Sequence, residues 1–302
     1  MSEFPPDPRS PLLIDRFSHV LEQLSERRRA ALQVHGSLEG VTWNVFRSLG
    51  QIDPALWLPP LMRRAVSRGL KFNSRELESL RVSLWEPVAP PPSRQEDLRR
   101  RALRGRLNPP AGRLRRGRVT PLSALRRQLA EKAREGLPLE PPLEIGALLR
   151  TRRRVVYFLP LLESEFEMEV ACDRGRDAIL RALDAGAYEA ELGRRKPRRF
   201  YLVLLYRDER ITPASVELLR RYRERPGLLA RALSHRRGLD AGAAARGLGL
   251  LRWGDLVRVL ARTLGSGGLD PVQVSLVERV TAWLRELGLA QGQKSAPVPA
   301  RR

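Results

Sequence analysis

The sequence predicts an α/β protein: a mixed sheet flanked by helices, with helical parts before and after it in the chain. Three observations predict it. Ile145 to Leu149 and Arg154 to Leu162 are apolar runs separated by Thr151-Arg152-Arg153, short enough for an antiparallel hairpin. A helix-periodic stretch from about Gly175 to Leu192 follows, and then a further continuous apolar run, Phe200 to Tyr206. Hairpin, crossover helix and strand together make the heart of a mixed sheet. The second run, Val155-Val156-Tyr157-Phe158-Leu159-Pro160-Leu161-Leu162, does not alternate, which calls for a strand covered on both faces.

The remaining elements follow in order. Residues 1–10 are Pro-rich and are expected to be frayed. From Pro11 to about Val34, Leu12, Leu13, Phe17, Val20, Leu21, Leu24 and Leu32 recur at helical spacing, an amphipathic helix with a charged outer face. A short helix is expected over about Val41 to Gln51, and another over Pro54 to Arg68 that begins with Pro in the permitted first turn. Pro59-Pro60 inside it should kink or split it. Leu80 to Val88 alternates as a strand and ends at Pro90-Pro91-Pro92. The stretch 95–135 reads as helix, exposed basic loop and helix, the second helix starting near Pro121. From Pro213 to Leu289 the pattern is helical, with a Gly/Ala-rich joint at Gly238 to Gly249 and a flexible loop at Gly265 to Gly268. The expected organisation is therefore amino-terminal helices and a first strand over 11–94, a basic insertion over 95–135, an α/β core over 136–210, a helical region over 211–289 and a disordered tail over 290–302. At 302 residues the chain can bury a substantial core.

The formal charge of +22 points to a polyanionic partner, nucleic acid before acidic lipid or an acidic protein. Almost all of the positive charge is arginine; the lysines are Lys71, Lys132, Lys196 and Lys294. Codon bias in a GC-rich genome explains arginine over lysine, but not the excess of base over acid. Three clusters are candidates for phosphate contact. Arg113, Arg115, Arg116 and Arg118 lie in a Pro/Gly-flanked loop, Arg152, Arg153 and Arg154 at the hairpin tip, and Arg194, Arg195, Lys196, Arg198 and Arg199 just before a buried strand. No recognition helix or zinc finger accompanies them, so weakly sequence-specific binding is expected.

Other chemistries find little support. Cys172 is the only cysteine, which excludes a disulfide framework and a thiolate zinc site and suggests a reducing compartment. His19, His35 and His235 are far apart in the chain, against a histidine metal centre. Trp43, Trp57, Trp85, Trp253 and Trp283 fall at amphipathic positions and read as core anchors before base-stacking platforms. There is no Gly-rich phosphate loop, no serine-nucleophile motif and no internal repeat. No run reaches the ~20 apolar residues of a membrane span, and the amino terminus has no signal-like segment. A cytoplasmic protein with no membrane partner is expected.

The succession of elements resembles one bacterial branch of the PD-(D/E)XK, or restriction-endonuclease-like, superfamily. The resemblance is carried by Leu38-Glu39-Gly40-Val41-Thr42-Trp43-Asn44-Val45-Phe46-Arg47, by Arg134-Glu135-Gly136, by Arg176-Asp177-Ala178-Ile179-Leu180, by Phe200-Tyr201-Leu202-Val203-Leu204-Leu205 and by Trp253-Gly254-Asp255-Leu256. It covers about two thirds of the chain and omits the basic insertion. It implies a restriction-endonuclease-like mixed sheet, in which an Asp on one strand and an acid-x-Lys on the next converge on Mg²⁺, the period of two placing acid and lysine on one face. The matching positions here are Gly146, Leu159 and Leu161, so the resemblance implies a degenerate site without a catalytic residue or metal. Glu39, Glu163 and Glu165, with Glu167 and Glu169 beyond them, are the acids that a relocated site would use. Three functions follow: a degenerate nuclease-fold protein binding nucleic acid, DNA first, through its basic surface; an active Mg²⁺-dependent nuclease with relocated carboxylates; or a scaffold that binds a protein partner.

Overall fold

The structure, a computed structural model, describes residues 12–14, 19–67, 69–109, 112–113, 119–162, 173, 176–192, 196–207 and 212–289. Among these the chain runs α1 (His19–Glu22), α2 (Glu26–Leu32), α3 (Leu38–Leu49), α4 (Pro54–Ala65), α5 (Ser74–Leu77), β1 (Arg81–Val88), α6 (Pro92–Leu103), β2 (Gly112–Arg113), β3 (Val119–Thr120), α7 (Leu122–Arg134), β4 (Leu143–Arg150), β5 (Arg154–Pro160), α8 (Ala178–Glu191), β6 (Arg199–Tyr206), α9 (Ala214–Glu224), α10 (Pro226–Ala232), α11 (Ala241–Arg246), β7 (Leu248–Arg252), α12 (Trp253–Leu264) and α13 (Pro271–Glu286). The protein is α/β, with a five-stranded mixed sheet ordered β1-β4-β5-β6-β7. β1, β4 and β5 are antiparallel neighbours, and β5, β6 and β7 run parallel.

Both faces of the sheet are buried, as the unbroken apolar runs require. Ala147, Leu149, Val156, Phe158, Val203 and Leu205 face the layer formed by α3, α4, α12 and α13. Leu148, Val155, Tyr157, Leu159, Leu202 and Leu204 face the layer of α8 to α11. Alternate residues of β5 thus serve opposite cores. The basic insertion is a helical hairpin, α6 against α7, with a core of its own built on Leu98, Ala102, Leu107, Ala133 and Leu139.

Three expectations change. The first amphipathic stretch is two helices, because the Ser25 hydroxyl caps α2 by accepting from Arg28 N at 3.3 Å and so starts a new helix. Pro59 and Pro60 do not split α4, which runs from Pro54 to Ala65. Pro60 cannot donate to Leu56 O, and the Thr263 hydroxyl of α12 donates to that carbonyl instead, at 3.4 Å. Third, Leu248–Arg252, read within a Gly/Ala joint and a helical region, is the edge strand β7. Gly249 permits this: a Cβ there would lie 2.8 Å from Val66 Cγ2 and 2.9 Å from Ala65 O, so α4 rests directly on the strand backbone.

Candidate functional site

Two ends of the sheet matter. At the first, the β4–β5 turn is built on Thr151, whose hydroxyl accepts from Arg153 N and Arg154 N at 3.2 and 2.9 Å and donates to Glu76 Oε1 at 2.9 Å. Arg152 N donates to Ser79 Oγ at 3.0 Å, pinning the turn against the segment after α5. Arg154 turns inward: its guanidinium donates to buried Glu76 and to Lys71 O and lies 4.1 Å over the Phe72 ring. It is the internal counter-ion of α5 and not an exposed phosphate ligand. Arg198 is likewise engaged, donating to Glu189 Oε1 at 3.3 Å.

Arg152 and Arg153 stay exposed, and β5 lies beside β6 so that Arg154 and Arg199 are register partners, with Arg199 N donating to Arg153 O at 2.8 Å. The hairpin-tip cluster and the cluster before β6, separate in sequence, thus share one edge. Arg152, Arg153, Lys196 and Arg199 are exposed there, and Arg75 and Arg81 are exposed on the elements that meet the same end. Arg115, Arg116, Arg118, Arg194 and Arg195 lie outside the described residues, as does the side chain of Arg113. The loop holding Arg113 belongs to the insertion, which leaves the sheet after Val88 and rejoins it at Leu143. The insertion thus joins the sheet at the end opposite the hairpin tip.

At this opposite end stand the positions that the resemblance pairs with metal chemistry. β4 and β5 stop pairing at Ala147↔Phe158. Beyond them Leu159 and Leu161 are buried in the same apolar cluster as Ile145, Ile179 and Leu204. A Cβ on Gly146 would lie 2.4 Å from Pro160 Cδ, so the proline ring occupies the space of any larger side chain. Trp253 Nε1 donates to Leu161 O at 2.9 Å and closes the strand end. Glu39, in the first turn of α3, lies 3.5 Å from the Arg28 guanidinium, which also donates to Glu144 at 2.5 Å and stacks 4.4 Å over Trp85. Trp85 itself takes φ +50 and stacks on Trp43 at 5.8 Å. Glu39 and Glu144 are therefore served by an arginine, and Gly146, Leu159 and Leu161 supply no side-chain ligand. Among the described residues no group of three or more His, Cys, Asp and Glu is arranged to hold a metal ion, and those at this strand end do not fit a Mg²⁺ site. Glu163, Glu165, Glu167, Glu169 and Cys172 lie outside the described residues.

Sequence reasoning missed a chain of buried charges behind the sheet. Glu140, 1% exposed, lies between Arg94 of α6, 3.2 Å away, and Arg176, 2.9 Å away, with Arg181 at 3.5 Å. Arg176 reaches Asp184 of α8 at 2.5 Å, and Asp184 also pairs with His235 at 2.8 Å. Asp173 receives Arg94 at 3.0 Å and Arg101 at 2.7 Å. The insertion is thereby fastened to the core by ions. One signal for it was visible: Glu140 stands alone in Leu137-Pro138-Leu139-Glu140-Pro141-Pro142, where a solvated acid has no reason to be.

Burial pushes Asp173 up, but the hydrogen bonds and charges of Arg101 and Arg94 outweigh it and leave its pKa below the ordinary 3.8. Burial acts on Asp184 in the same way and is outweighed by the His235 hydrogen bond and the Arg176 charge. Asp177 is the reverse case, raised by burial against the Tyr222 hydrogen bond. A depressed carboxylate contributes stability that is present above its unfolded pKa and lost as pH falls through its folded one; a raised one favours the fold more as pH falls. With Asp173, Asp184 and Glu86, the last held down by Arg150, depressed and Asp177 raised, the urea midpoint is expected to fall below about pH 4, Asp177 opposing the fall. Asp184→Asn should flatten that slope, and an unchanged slope would contradict the assignment.

The exposed end offers forked guanidinium donors, an arrangement suited to holding phosphates. No helix among the described residues is long and apolar enough to cross a membrane. Comparison of the chain with protein-family models, curated proteins and solved structures finds no match, so the reading of its function stands on these residues.

Proposed function

We propose that this chain is a nucleic-acid-binding protein on a restriction-endonuclease-like core that has lost its cleavage machinery. One observation carries the reading: Arg152 and Arg153 of the hairpin tip and Lys196 and Arg199 before β6 lie exposed along one edge of the sheet. Four cations gathered at one end of the central strands can each neutralise a backbone phosphate and release its counterion. The contacts are to the backbone, so affinity depends on salt more than on base sequence. The element order α3, β1, β4, β5, α8, β6, with antiparallel strands followed by a parallel one, supports the core assignment. The apolar Leu159 and Leu161 and the Pro160-filled space at Gly146 support the loss of cleavage.

The test is binding of labelled duplex DNA across a salt series, with cleavage followed in Mg²⁺. The Arg152→Ala/Arg153→Ala/Lys196→Ala/Arg199→Ala variant is expected to reduce the slope of log affinity against log salt by about 3 to 4. Its thermal midpoint should stay within a few degrees of the parent's, because all four side chains are exposed. An unchanged slope, or Mg²⁺-dependent cleavage by the parent, would overturn the reading.

A further inference from the structure

A second basic feature lies away from that edge, on the outer layer of the sandwich. α4 and α12 pack antiparallel: Thr263 Oγ1 meets Leu56 O at one end and Arg64 Nη1 meets Asp255 Oδ1, at 3.1 Å, at the other. Between them runs a cleft of about 560 Å³ lined by Pro60, Arg63, Arg64, Asp255 and Arg262. That volume is within the range of small-ligand sites, roughly 300–1,000 Å³.

The charges in the cleft do not balance. Asp255 is the only acid among the described residues that line it, and both of its oxygens are committed. Oδ1 accepts from Arg64 and, at 2.5 Å, from Arg258, while Oδ2 accepts from Arg252 N in the cap of α12. Nothing acidic lining the cleft is left for Arg63 and Arg262, which are both exposed. The two antiparallel contacts place Arg63 opposite about Leu256, so Arg262 stands six residues further along, about 9 Å at the helical rise. Pro60 lies between them and supplies an apolar floor without a side-chain donor. Two guanidinium forks converging on one trough from separate helices repel each other unless an anion is held between them.

We propose that the α4–α12 cleft is a binding site for a ligand carrying two phosphate groups, one taken by Arg63 and the other by Arg262. Arg64 is a positioning residue, held by Asp255 at the rim. The same chemistry belongs to a diphosphate ester or to neighbouring phosphates of a nucleic-acid strand. The proposal is independent of the basic edge, which lies on other elements.

Calorimetry with inorganic pyrophosphate, at about 0.15 M salt to screen diffuse attraction, provides the test. One saturable site per chain is expected, weakened at least tenfold in Arg63→Ala/Arg262→Ala and partly retained in Arg63→Lys/Arg262→Lys, which keeps the charge without the fork. The Arg152→Ala/Arg153→Ala variant should bind pyrophosphate as the parent does. A short single-stranded oligonucleotide then identifies the source. Weaker oligonucleotide binding by the Arg63/Arg262 variant supports a strand in the cleft, and unchanged binding supports a free diphosphate ligand. Absence of pyrophosphate binding, equal binding by the alanine variant, or equal loss in the Arg152/Arg153 variant overturns the proposal.

Discussion

Glu140→Ala is expected to lower the unfolding free energy by about 3 kcal/mol, the lower end of the cost of breaking a buried ion pair, because each buried arginine keeps one other carboxylate. Glu140 is the one carboxylate shared by Arg94, Arg176 and Arg181, and Arg94 and Arg176 are themselves buried. Removing it leaves Arg94 to Asp173 and Arg176 to Asp184, each buried guanidinium short of one counter-ion that it cannot offset by discharging, since arginine stays protonated. The loss is a large share of the ~5–15 kcal/mol that holds an ordinary domain together. It should appear as a lower urea midpoint at unchanged m-value. Glu140→Gln, which keeps the shape and one acceptor, should fall between that variant and the parent. Glu39→Ala is the control: its partner Arg28 retains Glu144 and the Trp85 ring, and the change should cost within about 1 kcal/mol. If Glu140→Ala proved as mild as Glu39→Ala, the ionic fastening of the insertion would be refuted.

Gly146→Asp restores the acid that the resemblance lacks, yet it is expected to weaken the fold and not to create activity. Any Cβ at this position would stand 2.4 Å from Pro160 Cδ and 2.7 Å from its Cγ, and a ring fixed in β5 cannot swing aside as a flexible side chain can. Overpacking of this kind costs about 1–3 kcal/mol, and Gly146→Ala should show the same penalty with no charge involved. Pro160→Ala removes the obstructing ring, so Gly146→Ala in that background should cost little, a coupling measurable by a double-mutant cycle in urea. Independent, additive costs would show that the proline contact is not the cause. Glycine, proline and the two leucines at this strand end are thus fitted to one another, and rebuilding the acid-x-Lys pattern would require changing them together.

The central sheet was legible because its strands are buried on both faces and so read as unbroken apolar runs: β5, β6 and the crossover α8 lie where the periodicity put them, within a few residues. β7 was not legible. Its five residues, Leu248-Gly249-Leu250-Leu251-Arg252, are too short to show a period, and they pair only because β6 already stands beside them. Exposure of the hairpin tip could be read in part: Arg152 and Arg153 face solvent as their turn position suggests. Arg154 carries the same charge one residue later but is the first residue of a buried strand, where Glu76, 78 residues away in sequence, receives it. Pairings of that range leave no mark on a local pattern, and the ion chain through Glu140 was hidden for the same reason.

The insertion begins just after Val88 and ends just before Leu143, and those two residues are cross-strand partners. In folding terms, the long-range β1–β4 ladder must close a loop that spans the entire insertion, the kind of contact whose entropy cost slows a chain. The α6–α7 hairpin has a local apolar core of its own, so it can form before the ladder and hold the two strand ends near each other. An appendage that formed first would act on the sheet as an internal splint, shortening the distance over which β1 must find β4.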